Sequence, residues 1–152
     1  MQSDFEILKE IFERDVCQRA TKPLKKGAQI GVTLSDKTQV SLRKTEAGIK
    51  AERVPAEKPD MSFEIPTGAL QHLQKVESED IGDIGVEILK LMASAEPNKK
   101  VRAKVHIGAF SLFTQGYLGI LPLGGPAVMK FLGTKGLTNI GKIKDALSKL
   151  KG

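Results

Sequence analysis

Tryptophan is absent, tyrosine occurs once as Tyr117, and aromatics make up 5% of the 152 residues. A platform that stacks nucleobases needs several flat rings, so this composition argues against one. Cys17 is the single cysteine, which excludes an intramolecular disulfide and a cysteine-rich zinc site. His72 and His106 are the two histidines. Neither has an acid or thiol at metal-ligand spacing, so both read as lone surface histidines and no metal is expected. A Gly-x-Ser-x-Gly nucleophile elbow is missing. Asp80 and Asp83 read as acids that complement a helix start, not as a catalytic pair. The expectation is a protein without catalysis and without a cofactor. The N-terminal MQSDFEILKE has no basic stretch leading into an apolar core, so no secretory signal is expected. The expected location is cytoplasmic, at most peripheral to a membrane.

What is present is one domain's worth of chain. Hydrophobic residues are 40% and charged residues 28%, a globular balance. A chain of this length buries roughly 70% of its unfolded surface, so one core spanning residues 1–152 is expected. The net charge of +6 is uneven. Glu77, Glu79, Asp80, Asp83, Glu87 and Glu96 stand against Lys90 alone in 77–96. Lys99, Lys100, Arg102 and Lys104 follow at once. Lys130, Lys135, Lys142, Lys144, Lys149 and Lys151 then face only Asp145. A basic end attracts polyanions such as an anionic membrane or a nucleic acid, or is simply a solvated helix face.

Periodicity places the elements. Phe5, Leu8, Ile11, Phe12 and Val16 recur at helical spacing, which predicts a helix over 4–17 with Ser3 and Glu6 as a capping box. Between 28 and 65 the period falls to two. Ile30, Val32 and Leu34, then Val40 and Leu42, then Ile49 and Ala51, then Met61, Phe63 and Ile65 alternate with polar positions. Four strands in an antiparallel meander are predicted. Thr67 is read as the cap of a helix carrying Leu70, Leu73 and Val76. A second helix begins near Ser78 or Asp80 and lines up Ile81, Ile84, Ile88, Leu89 and Met92. Val101–Ile107 alternates as a fifth strand. It is expected to join the sheet, because a lone strand is not stable.

From Ile107 to Met129 no charged residue occurs. The length would permit a membrane span. The run, however, contains Gly108, Gly116, Gly119, Pro122, Gly124, Gly125 and Pro126, and a span must satisfy its own backbone. Ordinary core with turns, and a flexible apolar wall around a bound lipid, are the two remaining readings. Pro126 suits the first turn of a helix through Leu132. Thr138 starts a basic amphipathic helix over about 138–150, with Ile140, Ile143, Leu147 and Leu150 as its stripe.

Two motifs need weighing. Gly136 to Gly141-Lys142 matches most of a phosphate-binding loop, but Ile143 stands where a Ser or Thr would touch magnesium. The stretch LTNIGKIKDALSKL resembles half of a helix-hairpin-helix, with Asn139 in place of the first glycine; an ordinary capped helix is the favoured explanation.

The element order carries more. Helix, four strands, two helices, a fifth strand and apolar helices resemble the type-two sterol-carrier-protein domain. Lys58-Pro-Asp-Met-Ser-Phe-Glu-Ile65 with Thr67-Gly-Ala-Leu70 resembles its fourth strand and following helix. Val101–Ile107 resembles its fifth strand, and Pro126–Leu137 its amphipathic helix beside the ligand cavity. The resemblance spans about 4–137, with a longer lead into the fifth strand and a longer run over 108–125. It implies an α+β fold, a five-stranded largely antiparallel sheet covered by helices on one face. It also implies reversible binding of a fatty acid, acyl chain or sterol without chemistry. The expected ligand wall is Met61, Phe63, Ile84, Ile88, Met92, Phe110, Phe113, Tyr117, Leu121, Met129 and Leu132. Lys142, Lys144, Lys149 and Lys151 are the expected membrane-surface residues. The expected partners are a single-chain lipid or other apolar small molecule and an anionic membrane surface. The alternatives are a nucleic-acid module using the basic C-terminus, and a scaffold domain with no ligand.

Overall fold

In the computed structural model, residues 2–137 are described together with Lys142, Asp145 and Lys149. The helices are α1 (Asp4–Phe12), α2 (Asp15–Ala20), α3 (Thr67–Gln74), α4 (Ile81–Met92), α5 (Ala109–Thr114), α6 (Ile120–Leu123) and α7 (Gly125–Thr134). The strands are β1 (Gln29–Leu34), β2 (Gln39–Thr45), β3 (Gly48–Glu52), β4 (Met61–Ile65) and β5 (Arg102–Val105). The class is α+β, with one five-stranded sheet in the order β3-β2-β1-β4-β5. The predicted helix 138–150 lies outside the described residues.

Three of the four pairings are antiparallel, as expected, and β1 pairs with β4 in parallel. The meander therefore stops at β3. The chain then returns along the sheet so that β4 can lie beside β1 with Val32 opposite Phe63. The return path is visible at Gly31. A Cβ there would meet Ser62 Oγ at 3.3 Å, Pro59 Cβ at 3.6 Å and Ala56 Cβ at 3.7 Å. The loop 53–60 thus crosses the sheet face that carries no helices, directly over a residue without a side chain.

Alternation assigns the other face to the core. Val32, Leu34, Val40, Leu42, Ala51 and Ile65 are buried there with Ile7, Leu8 and Ile11 of α1 and Leu70 and Leu73 of α3. Leu8, Ile11, Val16, Val40, Leu42 and Leu70 are among the fully buried side chains. Full burial of one such side chain contributes about 1.5–3 kcal/mol. The exposed edge strand β3 is covered by side chains from the helices. Gln18 accepts from the Ile49 amide and donates to its carbonyl, at 2.8 and 3.0 Å. Glu13 accepts from the Ala51 amide at 3.3 Å. Unpaired strand edges invite aggregation, and here two side chains act as a short sixth strand.

The predicted helix 4–17 is broken. Ser3 caps α1 by accepting from the Glu6 amide, as expected, but the helix ends at Glu13 and Arg14 is extended at φ −62°, ψ 151°. The break turns Arg14 outward to α3. Its guanidinium donates to the carbonyls of Val76 at 2.9 Å, Gln74 at 3.0 Å and Leu73 at 3.5 Å. Carbonyls at a helix end are short of internal partners, and the guanidinium supplies one to Gln74 and Val76 while sharing Leu73 with the Val76 amide. Thr67 is not a cap either: Pro66 holds that position. The Thr67 hydroxyl is used instead to donate to Asp4 Oδ2 at 2.7 Å, which ties α3 to α1. Asp80 caps α4 through the Gly82 amide at 2.7 Å.

Candidate functional site

The uncharged run folds into short pieces: α5, a 3-10 turn Tyr117–Gly119, α6 and α7. Among the described residues no helix is long and apolar enough to cross a membrane. Tyr117 anchors the run to the sheet. Its hydroxyl donates to Asp60 Oδ2 at 2.7 Å, and Asp60 also accepts from the Gln29 amide at 3.3 Å. Burial, and then the neighbouring Asp60, push the Tyr117 hydroxyl well above its ordinary pKa. Around this bond Leu24, Ala28, Ile49, Val105 and Tyr117 form a second core cluster, with Met61 packed against it. Gly116, at φ +94°, lies against the Pro23 carbonyl, where a side chain has no room.

α7 packs on α4 through small residues. A Cβ on Gly82 would lie 2.5 Å from the Gly124 carbonyl, and one on Gly85 would lie 3.0 Å from Val128. Val128 and Leu132 are buried there against Val86 and Leu89. Beside this contact lies an open groove of about 580 Å³ lined by Val76, Val86, Ala127 and Phe131, with Glu77, Ser78, Asp83, Glu87, Lys90, Lys130 and Thr134. That volume is within the usual range for small-molecule sites, about 300–1,000 Å³.

The wall on the α3–α4 side is firmly held. Arg14 fixes the end of α3, as above, and Arg19 donates to the Glu79 carbonyl. Ser78 Oγ donates to Asp83 at 2.7 Å and accepts from the Asp80 amide at 3.0 Å. His72 Nε2 lies 3.0 Å from Glu87, joining α3 to α4. On the α7 side, Phe131 has Lys135 stacked 5.7 Å from its ring centre. Among the described residues Glu77 and Lys130 have no ion-pair partner, whereas Glu87 also approaches Lys90 at 3.9 Å. Chemically the groove offers an apolar floor and charged groups of both signs at its rim.

The expected ligand wall is not gathered around one space. Phe63, Ile84, Ile88 and Met92 belong to the packed cluster between sheet and helices. Met61 and Tyr117 belong to the second cluster, and Leu132 to the α4–α7 contact. Phe110 and Met129 stand in solvent. Phe113 and Leu121 lie on α5 and α6; their side chains are outside the described set. None of the eleven lines the groove. The reason is orientation: α4 turns its Ile84 and Leu91 stripe inward, Val86 and Leu89 face α7, and Glu87 reaches His72 of α3. Sequence reasoning missed Val76, Val86, Ala127 and Phe131. The signal for them was Gly82 and Gly85, three apart on one helix, which let a second helix approach. Lys142 and Lys149 are described at isolated positions, and Lys144, Lys151, Asn139 and Gly141 lie outside the described residues. Both expected histidines do have partners: His72 as above, and His106, whose Nε2 is 2.7 Å from Ser62 Oγ. Cys17 is buried, and burial pushes its thiol up to about 11.

These features define a mixed-sheet α+β domain with a groove on the outer side of its helical layer. No protein-family model and no curated protein matches the chain. Among solved structures it is similar to a chain described as "UbiJ-SCP2 Ubiquinone synthesis protein". The identity is 12%, the match covers 79% of this chain and 94% of the other, and the TM-score is 0.46.

Proposed function

We propose that the protein binds and carries a single-chain apolar lipid, a fatty acid or acyl chain, without converting it chemically. The ligand's hydrocarbon part lies in the groove between α4 and α7. The observation that carries this reading is the apolar floor of Val76, Val86, Ala127 and Phe131 beside the ammonium of Lys130, which has no ion-pair partner among the described residues. Each buried methylene contributes about 0.8 kcal/mol, so affinity comes from length more than from any one hydrogen bond. Lys130 at the rim suits a carboxylate or phosphate head.

Titration with a fluorescent fatty acid tests it. Saturable one-to-one binding, lost in Phe131→Glu and weakened in Lys130→Glu, is expected. Equal binding by wild type and Phe131→Glu would remove the groove as the site. Folding of each variant is checked by far-ultraviolet circular dichroism.

A further inference from the structure

A second surface is set apart by what it exposes. Among the described side chains, the large hydrophobics standing in solvent are Val54, Phe110, Leu123 and Met129, and three of them come from the uncharged run. Phe110 is 79% exposed, Leu123 42% and Met129 40%. Leaving three large apolar side chains of one stretch in water is unfavourable unless a partner covers them.

The structure also brings cations to this run from a distant part of the sequence. The loop after α2 carries Lys22 and Lys25, both exposed. It is held against the run by the Lys25 amide, which donates to the Gln115 carbonyl at 3.0 Å. Pro23 in the same loop packs on Gly116 and Gly119. Lys130 continues the basic rim on α7. The run itself supplies no acid between Ile107 and Met129.

We propose that this face, the run 107–129 with its lysine rim, docks on an anionic bilayer. Exposed phenylalanine, leucine and methionine insert at the headgroup boundary, while lysines meet the negative surface. The short, broken helices lie on the bilayer and do not cross it, since none is long enough. A neutral apolar partner would gain nothing from the rim, and a nucleic acid could stack on Phe110 but would leave Leu123 and Met129 in water; an anionic bilayer uses all of them. This inference does not depend on what the groove holds, because docking requires only the outer surface.

Sedimentation of the full-length protein with phosphatidylcholine vesicles, with and without phosphatidylglycerol, tests it. Binding is expected only to the anionic vesicles and should weaken as salt rises. Each lysine near an anionic surface contributes roughly fivefold, so Lys22→Glu/Lys25→Glu should weaken binding by about 25-fold or more. Phe110→Ser should weaken it severalfold without unfolding, given the exposure of that side chain. Lys37→Glu, in the hairpin at the far end of β1, should bind as wild type. Phe131→Glu should also bind vesicles as wild type even where it loses fatty acid, which separates this proposal from the groove. Three results would overturn it. One is no binding, or equal binding with and without phosphatidylglycerol. A second is unaltered binding by the Lys22/Lys25 and Phe110 variants when Lys149→Glu/Lys151→Glu abolishes it. The third is a change in self-association, seen by gel filtration, in Phe110→Ser with vesicle binding intact.

Discussion

Two regions of this chain use apolar residues in different ways. In residues 4–105 they alternate with polar neighbours, and the sheet with α1, α3 and α4 closes them into a core whose central members have almost no exposure. In residues 107–129 they run together without charge, glycine and proline break the helices, and several large side chains are left outside. The first region spends its hydrophobicity on stability. The second is fastened by a few specific contacts, Tyr117 to Asp60 and Val128 and Leu132 to α4, and keeps surface in reserve. The lesson is that apolar content alone does not say where a core is; periodicity does.

The sharpest separation should come from truncating the core. Leu8→Ala and Leu70→Ala should each lose about 2–5 kcal/mol of stability, measured by urea unfolding, whereas Phe110→Ala should change it by less than about 0.5 kcal/mol. Similar losses for all three would erase the contrast between the regions.

The next effect concerns the joint between them. Gly82→Ala places a methyl group against the Gly124 carbonyl, so α7 must move off α4. Fatty-acid binding should drop at least tenfold while the unfolding midpoint falls by only about 1–3 kcal/mol equivalent. Undiminished binding would mean that the groove does not depend on this contact.

Tyr117→Phe removes one buried hydrogen bond and should cost about 1–3 kcal/mol. It should also change the response to alkali. The Tyr117 hydroxyl is raised by folding, so the folded state prefers the neutral form. Stability from this group is complete below the ordinary tyrosine value of 10.0 and is lost as pH rises above it. Cys17 behaves in the same sense: its contribution is complete below 9.0 and fades as pH climbs toward about 11. Wild type should therefore lose stability above pH 9, and Tyr117→Phe should lose less of it above pH 10. A steeper alkaline loss in the variant would contradict this sign. The smallest effect is expected at Lys26→Ala. Its exposed pair with Glu46 should contribute no more than about 1 kcal/mol.

Much of the inner region was legible in the sequence, because strands that bury one face must alternate. The faces of β1, β2, β3 and β4 follow from that rule. The parallel pairing of β1 with β4 does not, since alternation fixes which side a residue faces and not which strand lies beside it. The cue was Gly31, whose bare backbone admits the return loop. The break at Arg14 was hidden for a related reason. Phe12 and Val16 keep helical spacing across it, and the guanidinium's carbonyl partners lie some 60 residues away. The groove was the least legible part. Val86 and Phe131 carry no periodic signal of their own, the period of Val76 marks it only as core, and the three meet because two glycines on α4 permit a close helix contact. The expected wall was chosen for hydrophobic period, and period finds the core. The lysine rim was illegible for the same reason, since Lys22 and Lys25 reach the apolar run only through the fold.

Native mass spectrometry of freshly purified protein tests the lipid-carrying groove most directly. Wild type should carry an added mass in the range of one single-chain lipid, and Phe131→Glu, correctly folded, should appear bare. Wild-type protein that appears bare, or an adduct equally abundant on both proteins, would contradict it.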